Sequence, residues 1–324
     1  MNVDPRLLAA AAVARGAPVA PAVVPRHEVM DPRFATFVLA NAALEPLVEG
    51  CRWLEGPVWF GDQGLLLVSD LPNDRILRVT EAGEVSVYRQ PAGFVNGQTR
   101  DREGRLVACS HLHRSITRTG LDGVVETLVD RYRGKRLNAP NDIVVKRDGT
   151  IWFTDPPYGT QSDYEGEKQV PELPAAVYCF DPRDATLTQV ADDFDGPNGL
   201  AFSPDESRLY VAESGHQFAA QPKRHIRVFT VDGAGPRLHD GRLFHTVSPG
   251  YADGFRCDEE GNLWSSAGDG VHCIAPSGDL LGKIAVPHAV TNLCFGGRMR
   301  ARLFLCAGDT LYALSVNRRG AGWP

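Results

Sequence analysis

Six times along this chain a polar residue opens an apolar run that is followed by a turn and a second apolar strand. The leading residues are Glu55, Asn96, Asn141, Asn198, Asp253 and Asn292, at intervals of 39 to 57 residues. They open the phrases Glu55-Gly56-Pro57-Val58-Trp59, Asn96-Gly97-Gln98-Thr99, Asn141-Asp142-Ile143-Val144, Asn198-Gly199-Leu200-Ala201, Asp253-Gly254-Phe255-Arg256 and Asn292-Leu293-Cys294-Phe295. Turns such as Arg147-Asp148-Gly149 come next, then strand-like runs at residues 65–69, 106–109, 151–154, 209–212, 263–265 and 303–306. A third alternating strand is clear at 75–79, 226–229 and 310–314, and 85–88 reads as a fourth. Apart from the Ala-rich N-terminus, no long stretch has a helical period. Four short strands per unit of roughly forty residues is the signature of propeller blades. The expected fold is therefore all-β: a six-bladed β-propeller with four-stranded blades.

The sixth repeat has room for only three strands, so an N-terminal strand must close the ring, and residues 34–39 have strand character. Closure of this kind removes exposed sheet edges. Residues 1–33 then form a partly ordered arm, and residues 34–324 a single propeller domain. Longer insertions at 158–174 and 215–224 are candidates for loops over one face.

Composition narrows the function. A net charge of −6 argues against nucleic-acid binding, which favours a basic face. The apolar run at 7–14 follows an acidic residue and makes a poor signal peptide, and no stretch reaches transmembrane length. Seven scattered cysteines without a CxxC pair read as buried thiols in a reducing compartment. The cytoplasm, a small-molecule partner, no membrane, and a monomer or small homo-oligomer are the expectations.

A leading residue at the start of each innermost strand faces the central channel at one mouth. The next strand is antiparallel and returns there, so Asp70, His111, Asp155, Ser214 and Asp269 should crowd the same ring. The plainer reading is that Asn-Gly and Asp-Gly only shape turns. Glu55 is not a turn former yet holds the register, and the third repeat has Asn141-Asp142 without the glycine; a turn explanation predicts neither, which favours functional oxygen donors. Glu55, Asn141, Asn198 and Asp253 offer oxygen ligands with two negative charges, suited to one divalent cation. Calcium, magnesium or manganese fits best, and zinc stays open because carboxylates also bind it. His111 and His216 are the two histidines placed to matter. The chain has no GxSxG elbow, Walker A or dinucleotide fingerprint.

Over residues 50–316 the chain resembles the gluconolactonase and senescence-marker-protein (regucalcin) family of six-bladed propellers. The resemblance rests on Glu55 to Trp59, Asn138-Ala139-Pro140-Asn141-Asp142, Thr154-Asp155-Pro156-Pro157-Tyr158-Gly159, Pro197-Asn198-Gly199, Asp253-Gly254-Phe255 and Thr291-Asn292-Leu293. The Thr-Asp-Pro-Pro-Tyr-Gly run is most similar to the bacterial gluconolactonase branch. The resemblance implies one divalent metal held by Glu55, Asn198 and Asp253, with Asn141 a ligand or a substrate contact, and hydrolysis of sugar lactones such as glucono-1,5-lactone. Mammalian members carry an arginine where this chain has Ala139, so sugar contacts differ there. On this reading Asp253 is the first candidate for general base and Asp142 the second, and His111, Tyr158 and His216 form a rim for sugar hydroxyls. Related propellers hydrolyse phosphotriesters or aryl esters, and a non-enzymatic calcium- or ligand-binding propeller is the remaining alternative.

Overall fold

A computed structural model describes residues 23–215, 223–233 and 235–322. Six antiparallel sheets follow one another along the chain as six blades. Their innermost strands are Leu54–Phe60, Val95–Arg100, Ile143–Val145, Pro197–Phe202, Phe255–Cys257 and Asn292–Gly296. These pack on one another in order, the sixth against the first, around one channel. A small hairpin, Arg131–Tyr132 with Lys135–Arg136, sits between blades 2 and 3.

Burial follows position in the blade. Leu106–Ser110, a second strand, is buried along its whole length because neighbouring blades cover both faces, whereas the outer strand Val125–Val129 is largely exposed. Six apolar clusters fill the spaces between consecutive blades. Trp59 of blade 1 stacks on Phe304 of blade 6 at 5.3 Å, an aromatic pairing that adds about 0.5–1.5 kcal/mol beyond its buried area.

The ring is closed by an N-terminal strand, as the repeat count requires, but a different segment supplies it. Glu45–Val48 pairs with Thr310–Ser315, and Glu45 takes an ion pair from Arg302 at 2.8 Å. Residues 34–39 do not form a strand. Pro32–Thr36 is a short 3-10 helix started by Asp31, whose carboxylate accepts the Arg33 amide. Phe34 and Phe37, three residues apart, thereby bury on one side against Trp264 and the blade 5–6 cluster. Further upstream, His27–Val29 adds a fifth strand to blade 5. The cysteine reading holds in part: all seven are buried and unpaired. Among the described residues no helix is long and apolar enough to cross a membrane.

Candidate active site at one mouth of the channel

Each leading residue lies at the start of its innermost strand or just before it. In blades 1, 2 and 4 the pairing register slips there, between Glu55 and Val58, Val95 and Gln98, and Pro197 and Leu200. A bulge of this kind re-aims side chains, here in the residues that ring the mouth. The glycines after the leading residues have a reason other than turning. A Cβ at Gly56 would collide with the Asn96 carbonyl, at Gly97 with that of Asn141, at Gly199 with that of Asp253, and at Gly254 with the Asn292 side chain. Glycine is thus required for close approach by the next blade. In blade 3 the place is taken by Asp142, whose carboxylate accepts the Ile143 amide at 2.9 Å and the Leu200 amide of blade 4 at 3.3 Å.

Hydroxyls from neighbouring strands tie this ring together. Ser69 Oγ donates to the Asn96 carbonyl, Thr154 Oγ1 to that of Asn198, Ser214 Oγ to that of Ala252, and Thr291 Oγ1 to that of Leu54, all at 2.7–2.9 Å. Of the five residues expected to return to the mouth, His111 and Ser214 meet ring members. Asn96 Nδ2 lies 3.3 Å from His111 Nε2, and Asn198 Nδ2 donates to Ser214 Oγ at 3.2 Å. Asp155 is fully buried and accepts the Asn138 amide at 2.8 Å, so fixing the loop that delivers Asn141. Asp70 and Asp269 are instead held by cations of their own blades, Arg75 and Lys283.

The site is acid-rich and sheltered. Burial pushes the Glu55 carboxyl up to about 7; the Asn292 amide opposes this, while the charges of Asp142 and Glu165 add to it. Asp253 is raised well above the carboxylate range by burial first, then by Glu55, Asp142 and Glu165. Asn198 Oδ1 is buried and has no hydrogen-bond partner among the described residues. Two carboxyls unwilling to ionise beside an orphaned amide oxygen are what a hard cation would satisfy. Among the described residues there is no ligating cluster of three or more His, Cys, Asp or Glu, so any metal site needs the amide oxygens.

Glu165 was not singled out in the sequence, which marks its segment only as an insertion. The loop folds back so that the Glu165 carbonyl lies 2.8 Å from His111 Nδ1. A carbonyl only accepts, so Nδ1 carries the proton and Nε2 accepts from Asn96. Burial pushes the His111 ring down to about 4, keeping it neutral. Tyr158 donates to the Gly215 carbonyl at 3.0 Å and lies 3.2 Å from that of Gly196. Both rim candidates are therefore engaged by the protein itself. Asn141, 7 % exposed, sits in the ring, with its backbone fixed by Thr154 and Gly97. Asp253 is half-buried at the mouth. His216 lies outside the described residues.

The SMP-30/Gluconolactonase/LRE-like region family matches residues 53–308. The chain belongs to this family. It is 32 % identical to a gluconolactonase of Zymomonas mobilis over 90 % of this chain and 86 % of that one. It is 26 % identical to a pentonolactonase of Haloferax volcanii over 76 % of this chain and 78 % of that one. Among solved structures, a gluconolactonase of Xanthomonas campestris superposes with a TM-score of 0.84 at 40 % identity, covering 93 % of this chain and 98 % of its own. Family membership and the six-bladed ring agree with the resemblance read from the Glu55, Asn198 and Asp253 phrases.

Proposed function

We propose that this protein is a lactone hydrolase that opens glucono-1,5-lactone or a related aldonolactone to the aldonic acid at the Glu55 mouth. The gluconolactonase and pentonolactonase relatives support the reaction class. The observation that carries the site assignment is the meeting of two raised carboxyls, Glu55 and Asp253, with the unpartnered Asn198 oxygen. These three residues and Asn141 would hold one divalent cation, calcium first, with magnesium, manganese or zinc as alternatives. Such a cation supplies positive charge to polarise the lactone carbonyl and stabilise the oxyanion.

The chain's own residues do the rest. Asp253 takes a proton from the attacking water, whose oxygen bonds to the carbonyl carbon. The ring C–O bond then breaks, and the leaving oxygen takes up the proton held on Asp253 to give the hydroxy acid and restore the base. Asp253 is favoured over Asp142 because the Asp142 carboxylate is already committed to main-chain amides of blades 3 and 4. The Asp142 oxygens are already engaged by two amides and by Arg256 at 3.5 Å, which suits a positioning role. His111 and Tyr158 hold the mouth loops, and the Asn141 carboxamide contributes to substrate contact. Seven buried thiols fit a reducing compartment, and the cytoplasm is the proposed location.

Proton release on adding glucono-1,5-lactone tests this reading, measured before chelation, after it, and with each metal restored. Release that stops on chelation and returns with a metal supports it. Absence of catalysed release with any aldonolactone and any metal overturns it in favour of a binding propeller.

A further inference from the structure

The channel has a second mouth, where the innermost strands of all six blades end. A cavity of about 190 Å³ opens there, and none of the residues proposed above lines it. Five of its lining residues are arginines, Arg100, Arg102, Arg147, Arg256 and Arg300, against one acid, Glu206. In a chain of net charge −6, so positive a wall is a concentrated feature.

Main-chain carbonyls position most of these guanidinium groups. Arg102 donates to Lys146 and Val145, both at 3.1 Å, Arg147 to Pro204 at 2.5 Å, and Arg300 to Gly322 at 2.8 Å. Arg256 donates to the carbonyl of Phe255 at 2.7 Å. Carbonyls fix a guanidinium without cancelling its charge, and each group has five N–H donors. Carboxylates neutralise the wall only in part. Asp62 takes Arg100 at 3.0 Å, Glu259 takes Arg300 at 2.5 Å, Asp142 stands 3.5 Å from Arg256, and Glu206 stands 3.8 Å from Arg102 while accepting the Arg147 amide. Among the described residues no carboxylate pairs with the Arg147 guanidinium. The Arg100 side chain is nine-tenths buried, and its Nε has no partner among the described residues.

We propose that this cavity is a second binding site, for a small oxyanion bearing a carboxylate or phosphate group. Planar guanidinium forks match both kinds of group, and positions already fixed by carbonyls lower the entropic cost of binding. Pockets for drug-sized ligands measure about 300–1,000 Å³, so this smaller cavity of about 190 Å³ takes a small anion. The site is separate from the lactonase reading and stands whether or not that reading holds.

Calorimetric titration of the full chain at constant ionic strength, once with inorganic phosphate and once with gluconate, tests the proposal. The variants are Arg102→Gln with Arg147→Gln, and Arg147→Gln alone. Arg256 is left intact because it also reaches Asp142. Saturable binding of one anion per chain, weakened about tenfold or more in the double variant, is expected. Phosphate sensitive to the substitutions identifies a phosphate site, and gluconate sensitive to them identifies a carboxylate site. Absence of saturable binding by either anion, or binding unchanged in the variants, overturns the proposal. Arg147→Gln, at an exposed position, carries the comparison if the double variant does not fold.

Discussion

Asn292 Nδ2 donates to Glu55 Oε2 across 3.2 Å, joining the last blade to the first at the acid-rich mouth. The two residues are remote in sequence, and ring closure alone brings them together. This bond favours the ionised form of Glu55 against the burial that raises its pKa. Asn292→Ala is expected to weaken cation binding by about 10- to 100-fold, the usual effect of removing a residue that orients a ligand. Calcium titration of the folded variant checks this; unchanged affinity would leave Asn292 with a packing role only.

Asp253→Ala should abolish both cation binding and hydrolysis, with turnover falling by about 10²–10⁴-fold for loss of the base alone. Asp142→Asn keeps an acceptor for the Ile143 amide, so cation binding should persist while turnover drops by roughly 10- to 100-fold. Steady-state rates and metal titration of both variants separate the two roles. Wild-type turnover in Asp253→Ala would sink the assignment.

Cation affinity should fall as pH drops below about 7, because the raised Glu55 carboxyl must lose its proton to serve as a ligand. Glu165 raises both Glu55 and Asp253 by like-charge repulsion. Glu165→Gln removes that repulsion, so the midpoint of binding against pH should move to lower pH by some tenths of a unit. Calorimetry over a pH series tests it, and a midpoint that stays put or rises contradicts it.

Burial pushes Asp155 up to about 7 from its ordinary 3.8. Between those values the folded chain binds more protons than the unfolded one, so this group lowers stability as pH rises from about 4 to about 7. Asp155→Asn, which retains an acceptor for the Asn138 amide, should flatten that part of the dependence. Urea unfolding of wild type and variant at about pH 5 and about pH 8 measures the difference. An identical pH dependence in the two proteins would count against it.

Much of the ring was legible because each blade repeats one local pattern. Glu55, Asn96, Asn198 and Asn292 lie at or within two residues of the start of their innermost strands, and Asn141 and Asp253 stand two residues before theirs. The closing strand was harder. Residues 34–39 carry apolar side chains that satisfy a strand reading, but Asp31 and Pro32 start a helix that the alternation does not reveal. Glu45–Val48 is short, holds a proline and shows little periodicity, and its partner lies at the far end of the chain.

By itself the sequence determined the number of blades, the polar residue at the head of each innermost strand, and the family. Those properties repeat locally, and every repeat states them again. Tertiary structure decided which acids repel one another, that the Glu165 charge is felt at Glu55 and Asp253, and that His111 and Tyr158 are held by main-chain carbonyls. It also decided why glycine follows most of the leading residues: at Gly56, Gly97, Gly199 and Gly254 the next blade leaves no room for a Cβ. Burial, charge repulsion and close approach arise between blades, and no single repeat contains them.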